Sequence, residues 1–244
     1  MRILLLASAV LLLAACNIFD PGGNGGSGPT RSYSVSAFTG VTLAGPYNVV
    51  VAYGSTHAVR AEGDPQALDR LTIRTEDGEL WIGEGRGGLL TSSDAGKIIV
   101  HVTVPRLESA TIGGSGDIRI DKATSPSFEG TIGGSGNLQI ETLTVRNAKF
   151  TIAGSGNLKA GGTTGHGEFR IAGSGDVDAH QLRSRTAAVS IAGSGSVKAY
   201  ASESANISIM GSGDVDMQGT DRCTISKLGP GDVKCHSAPS TDKK

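Results

Sequence analysis

Seven times from residue 112 onward the chain sets a small residue between glycines and follows it with Asp, Asn or Ser, residue types that can carry chemistry. The phrase is Ile112-Gly-Gly-Ser-Gly-Asp117 at its first appearance and returns with its first triplet glycine at 134, 154, 173, 193, 211 and 229. A glycine loop cradles phosphate when it runs into a helix N-terminus, whose N–H groups point at the anion. Strand-forming residues follow every triplet here, so no phosphate cradle is expected. The column Asp117, Asn137, Asn157, Asp176, Ser196, Asp214, Asp232 suggests calcium, but the calcium-binding repeat has a period of about nine residues and places its Asp differently after the closing glycine. The expected role is an Asx ladder, since Asn and Asp tolerate left-handed turns and bond their own backbone. Ser115, Ser135, Ser155, Ser174, Ser194 and Ser212 make an evenly spaced row of hydroxyls. They are candidate contacts for a repeating ligand, with a small polar turn residue as the plainer role.

Other reactive groups are scattered. His57, His101, His166, His180 and His236 share no ligand spacing, and none stands beside Ser or Cys in a nucleophile motif. Glycoside cleavage needs carboxylates gathered at one point, whereas the acids here are spread along columns. No catalytic residue, metal site or cofactor is predicted.

The elements that position these residues follow from the spacing. Successive triplets are 20, 20, 19, 20, 18 and 18 residues apart, which is a structural repeat. Counting from the first triplet glycine, position −2 reads Ile112, Ile132, Ile152, Ile171, Ile191, Ile209, Lys227, and position +4 reads Ile118, Leu138, Leu158, Val177, Val197, Val215, Val233. Position +6 is Ile120, Ile140, Ala160, Ala179, Ala199, Met217, Cys235. Apolar residues at −4, −2, +4 and +6 describe two period-2 strands meeting at a small-residue corner. One such unit cannot bury its apolar face alone, but stacked coils can. The fold class is therefore all-β, a single-stranded parallel β-helix of about seven coils of 18–20 residues, with a rise of about 4.8 Å per coil and a less regular N-terminal β part. At position +5, Arg119, Gln139, Lys159, Asp178, Lys198, Asp216 and Lys234 face outward with alternating sign in the later coils. They are expected to set coil register.

Composition narrows the function classes. A formal net charge of −1 over 244 residues gives no electrostatic case for nucleic acid or anionic lipid. With 37 glycines and 4% aromatic residues the chain fits a tightly turned solenoid better than an aromatic sugar or base platform.

The N-terminus carries a processing segment: Arg2, an apolar run from Ile3 to Leu13 too short to span a bilayer, then Leu13-Ala14-Ala15-Cys16. This resembles the lipobox of bacterial lipoproteins, which implies removal of residues 1–15, lipidation of Cys16 and a membrane attachment through that lipid. Asn17 in place of Asp after the cysteine implies an outer-membrane destination. Pro21 to Pro29, rich in glycine, reads as a flexible tether, so residues 16–30 form the lipidated end and its linker. In an oxidising compartment the remaining pair, Cys223 and Cys235, is expected to form a disulfide bracing the last coil, with two buried thiols as the alternative. Their spacing is not that of a redox pair.

Residues 31–105 are less regular. Val41 to Val51 fits the repeat columns with Gly45 at zero and reads as a decayed coil. A strand at Ala58–Glu62, a helical turn at Pro65–Arg70 and a hairpin through Asp77-Gly78 follow, then a glycine- and serine-rich excursion, Gly83 to Gly96, and a strand ending at Val104-Pro105. Regular coils occupy 106–236 and a polar tail 237–244. A Gly-(x)n-Val-x-Val opening, an Asp-Gly-x-Leu-x-Ile hairpin, a Val-x-Val-Pro strand and serial Gly-Ser-Gly-Asp/Asn-Val coils, in that order, resemble the bacterial GIN domain, the head of proteins described as auto-transporter adhesins. The resemblance covers about residues 33–235. It implies a right-handed parallel β-helix in an exported, often lipid-anchored protein, and supplies no catalytic residues. The function expected is a non-enzymatic envelope module that binds a glycan or an envelope protein. The alternatives are a structural module docking on another envelope protein and a β-helical polysaccharide-active enzyme.

Overall fold

Alternation of apolar and polar residues winds the chain into a β-solenoid of about six turns, the seven glycine corners bounding six full coils. The computed structural model describes residues 29–85 and 98–237. The irregular half contributes β1 (Thr30–Tyr33), β2 (Gly40–Ala44), β3 (Asn48–Tyr53), β4 (Ala58–Glu62), α1 (Pro65–Arg70), β5 (Leu71–Glu76), β6 (Glu79–Glu84) and β7 (Ile99–Val104). The regular half follows with β8 (Ser109–Ile112), β9 (Asp117–Thr124), β10 (Ser127–Ile132) and the long bent strands β11 (Leu138–Gly154), β12 (Leu158–Gly173), β13 (Val177–Gly193) and β14 (Val197–Gly211). It closes with β15 (Val215–Gly219), β16 (Cys223–Leu228) and β17 (Val233–Ser237).

Coils stack in parallel with equivalent residues in register: Ile132 on Ile152, Ile152 on Ile171, Ile171 on Ile191 and Ile191 on Ile209. All five are buried, as are the +4 residues from Ile118 to Val215. Phe150 and Phe169 stack with ring centroids 5.8 Å apart. Gly130, one coil before Phe150, leaves the room that ring needs, for a Cβ there would lie 2.7 Å from Phe150 Cδ1.

Each coil has three sides where two are expected. The pairing register slips between Ile140 and Leu143 and between Ala179 and Arg183, where the long strands bend. The third side buries Leu143, Leu182 and Ala201. Beside them the hydroxyls of Thr164 and Thr220 are buried and donate to the carbonyls of His166 and Glu203 at 3.0 and 3.1 Å, which satisfies polar groups that burial would otherwise penalise.

The glycine corners are imposed by close backbone approach. At Gly156 a Cβ would lie 2.1 Å from the Gly136 carbonyl oxygen and 2.7 Å from Ile132 Cγ2. At Gly193 the φ of +141° adds a conformation that disfavours any side chain.

The decayed coil belongs to the stack itself. β2 and β3 lie directly against β8 and β9, with Leu43 beside Ile112 and Val49 beside Ile118. On their other edge they pair with β6 and β7, so Leu43 also faces Ile82 and Val49 faces Val100. The first coil in sequence is thus the second in space. Antiparallel partners close this end: β5 on β6, β4 on β7, and β1 on β4. The β5–β6 turn has positive φ at both Asp77 (49°) and Gly78 (79°), as its Asp-Gly pair predicts. Asp64 caps α1 by accepting from the N–H groups of Gln66 and Ala67, and the helix lays Ala67 and Leu68 over the core.

The other end is more open. Cys223 and Cys235 are joined by a disulfide and pack against the core. Lys227, in the isoleucine column, is exposed and donates through Nζ to the Gly231 carbonyl at 2.6 Å. On this same rung Ile225 and Leu228 are 48% and 72% exposed.

The column assignment predicts opposite outcomes for neighbouring residues. Ile152→Asp leaves an unpaired charge in the core and is expected to cost on the order of 4 kcal/mol. Thr151→Asp, outward and in register with Arg170, should stay within about 0.5 kcal/mol of the parent. Urea denaturation of both variants checks this, and equal losses would contradict the alternation.

Candidate functional site

The corner motif builds one continuous surface seam. Its first glycine turns the chain, the second is buried against the preceding coil, and the residues between and after them project outward. All six serines, Ser115, Ser135, Ser155, Ser174, Ser194 and Ser212, are exposed. From Ser135 to Ser212 the backbone N–H of five of them donates to the first glycine's carbonyl in the preceding coil, at 2.9–3.2 Å. The serine backbone is therefore held in the stack, while among the described residues none of these hydroxyls bonds a protein group. The result is a row of free hydroxyls, repeating at about 4.8 Å.

The Asx column beside it forms a ladder, but not by bonding its own backbone as expected. Each side-chain oxygen reaches forward one coil. Asp117 Oδ1 accepts from the Asn137 N–H at 2.8 Å, Asn157 from Asp176 at 3.2 Å, Asp176 from Ser196 at 2.9 Å and Asp214 from Asp232 at 2.8 Å. Asn137 Oδ1 accepts from the Asn157 side-chain amide at 3.0 Å. With their oxygens used in this way, these residues stiffen the seam, and the ladder agrees with a structural role.

The column at +5 is in register as expected, with Asp178 opposite Lys159 and Lys198, and Asp216 opposite Lys198 and Lys234. The contacts of its aspartates are different: Asp178 meets His180 and Asp216 meets His236, each two residues along a strand or one coil away. The histidines are dispersed. His57 Nε2 lies 3.0 Å from the Phe38 carbonyl, His101 Nε2 3.3 Å from Glu62, and His166 Nδ1 2.9 Å from Thr186 Oγ1. Among the described residues no three His, Cys, Asp or Glu side chains group as metal ligands.

Electrostatic perturbation is local. The Glu203 carboxyl is held below its usual range by the hydrogen-bonded Arg185 guanidinium, at 2.8 Å on a fully exposed face. Burial, followed by the hydrogen bond to Glu84 at 3.0 Å, pushes the Tyr47 hydroxyl well above its usual range. Neither arrangement offers a poised acid or base near the seam.

A second hydroxyl row escaped the reading of the sequence. Thr111, Thr131, Thr151, Ser190, Ser208 and Ser226 occupy position −3, facing out, with Arg170 interrupting them. The signal was present one residue before each member of the isoleucine column. Near the last coils this face dips into a shallow depression of about 420 Å³ lined by Ser190, Asn206, Ser208, Thr224 and Ser226. Between the two rows runs position −1, small at Gly113, Gly133, Ala153, Ala172 and Ala192 but ending in Met210 and Leu228, 64% and 72% exposed. Cys16, the expected lipidation site, lies outside the described residues.

Comparison with known proteins agrees with this geometry. No functionally curated protein sequence matches the chain. A crystal structure described as a putative adhesin from Bacteroides fragilis NCTC 9343 superposes with a TM-score of 0.78 at 22% identity, covering 85% of this chain and 96% of that one. Two from Parabacteroides distasonis ATCC 8503 follow. One, a putative lipid binding protein, has a TM-score of 0.68 at 22% identity over 86% of this chain and 97% of its own. The other, a putative adhesin, has 0.66 at 19% identity over the same shares. At such identities the likeness establishes the fold. The sequence profile described as "Putative auto-transporter adhesin, head GIN domain" matches residues 37–220, and the chain belongs to that GIN-domain family.

Proposed function

We propose that the protein is a non-enzymatic adhesion or binding module of the bacterial cell envelope, anchored by lipid on Cys16 and contacting its ligand through the serine seam. The observation that carries the reading is the row of six exposed serines whose hydroxyls make no bond to protein groups among the described residues. A rigid backbone holding unsatisfied hydroxyls at a fixed repeat suits a repeating polar ligand such as a glycan, because little ordering entropy is left to lose on binding. Family membership and the adhesin descriptions of the structural neighbours support the same class. An enzyme is disfavoured by the dispersal of acids and histidines over separate coils, since cleavage of a glycosidic bond needs two carboxyl groups facing one point.

A second reading, a structural module that docks on another envelope protein, has its own observation. Ile225 and Leu228 leave apolar surface exposed on the final rung.

Two experiments separate and test these statements. Replacing Ser135, Ser155, Ser174 and Ser194 together by Ala removes hydrogen bonds of about 0.5–1.5 kcal/mol each. Affinity for envelope glycans on an array should fall by at least about 30-fold with the melting temperature unchanged. Retained binding would pass the role to the final rung. Cys16→Ser is expected to abolish acyl labelling and membrane fractionation, and a variant that remains acylated and membrane-bound would remove the anchor from the proposal.

A further inference from the structure

The closed end of the solenoid carries a cavity of about 470 Å³ that lies apart from the seam. It opens where three antiparallel strands run side by side. Ser32 of β1 stands opposite Arg60 of β4, and Arg60 stands opposite His101 of β7. Residues directly opposite on paired strands point to the same face, so a hydroxyl, a guanidinium and an imidazole share one wall. Ser34, His57 and Thr103 complete the polar lining.

The charge on this wall is not internally balanced. An arginine directly across from a histidine is an unfavourable neighbour whenever the ring is protonated. Glu62 offsets only His101: its Oε1 lies 3.3 Å from His101 Nε2, off the line of a hydrogen bond, and its side chain is 18% exposed and outside the lining. Among the described residues no carboxylate lies within ion-pairing distance of Arg60. His57 is fixed in place, since its Nε2 donates to the Phe38 carbonyl, which can only accept, and its ring packs edge-on against Phe38 at 5.0 Å.

We propose that this cavity binds a small phosphate ester, with Arg60 gripping the phosphoryl oxygens, the hydroxyls of Ser32, Ser34 and Thr103 supplying further donors and the His101 ring lining the wall beside them. Guanidinium recognises oxyanions in a fork. Donors arriving from three strands suit a tetrahedral group with several acceptor oxygens better than a planar carboxylate. The volume exceeds that of a bare ion and leaves room for a small organic substituent. Soluble phosphate esters and phospholipid headgroups both present this chemistry. The proposal does not depend on the seam.

The test is a titration of the full chain with sn-glycerol 3-phosphate and, separately, with dihexanoyl phosphatidylglycerol below its micelle concentration, following the His57 and His101 ring resonances by NMR. Saturable shifts of both rings are expected in the millimolar range or tighter. Arg60→Gln should weaken binding at least about tenfold, while Arg185→Gln, at an exposed ion pair elsewhere, should leave it unchanged. Tighter binding of the short-chain lipid assigns the headgroup as the source, and tighter binding of glycerol phosphate assigns a soluble ester. Absence of saturable shifts with both probes, or shifts that persist undiminished in Arg60→Gln, overturns the proposal. If Arg60→Gln fails to fold by circular dichroism, Ser32→Ala combined with Ser34→Ala takes its place, and unchanged affinity in that variant likewise overturns it.

Discussion

Everything in this molecule depends on one backbone contact, the descent of each glycine corner onto the corner before it. The Gly134 carbonyl accepts from the N–H groups of both Ser155 and Gly156, each at 3.1 Å, and the serine N–H bond recurs in every coil from Ser135 to Ser212. A corner with side chains at its glycines could not come so near. Because it does, the coils keep one rise, the isoleucines and the +4 residues lie one above another, and the core becomes a continuous column. The same contact fixes the seam, since a residue held between two such glycines has its backbone consumed by the stack and its side chain turned to solvent.

That economy explains which parts were legible in the sequence. Buried columns were readable because burial in a parallel stack repeats the residue type as well as the position, as Ile112 through Ile209 show. The Asp77-Gly78 turn and the coil at Val41–Val51 were readable for the same local reasons. The third side of each coil was not, because its residues change in type and offset from coil to coil: Ala123, Leu143, Gly162 and Leu182 lie in register, while Ala201 stands opposite the buried Ser184. Nor was the spatial order of the first coils, where β2 and β3 lie between strands drawn from 79–104 and 109–120. Sequence adjacency carries no information about such an insertion. The reach of the Asx ladder was hidden too, for an aspartate that bonds its own turn and one that bonds the next coil look alike until the rise between coils is known.

The surface divides along the same lines. Where the Asx oxygens are committed to the ladder, the serine and threonine hydroxyls are left as the groups that meet solvent, and they lie on a backbone with little freedom to rearrange. Apart from the ladder aspartates and Arg170, charged residues lie away from these rows, in exposed pairs such as Arg185 with Glu203, whose contribution is small and screened by salt. The two ends also differ in kind. One is sealed by antiparallel strands and a capped helix, while the other ends on a disulfide-braced rung with apolar surface still showing. Binding along the length and docking at an end are therefore physically distinct uses of the same fold.

The central claim, that corner contact rather than turn propensity requires the glycines, is tested most directly by comparing Gly156→Ala with Ser155→Ala. A Cβ at 156 would meet the Gly136 carbonyl oxygen at 2.1 Å, whereas the Ser155 side chain already projects outward. In urea denaturation Gly156→Ala should lose about 1–3 kcal/mol or more while Ser155→Ala stays within about 0.5 kcal/mol of the parent. A Gly156→Ala protein as stable as the parent would contradict the account.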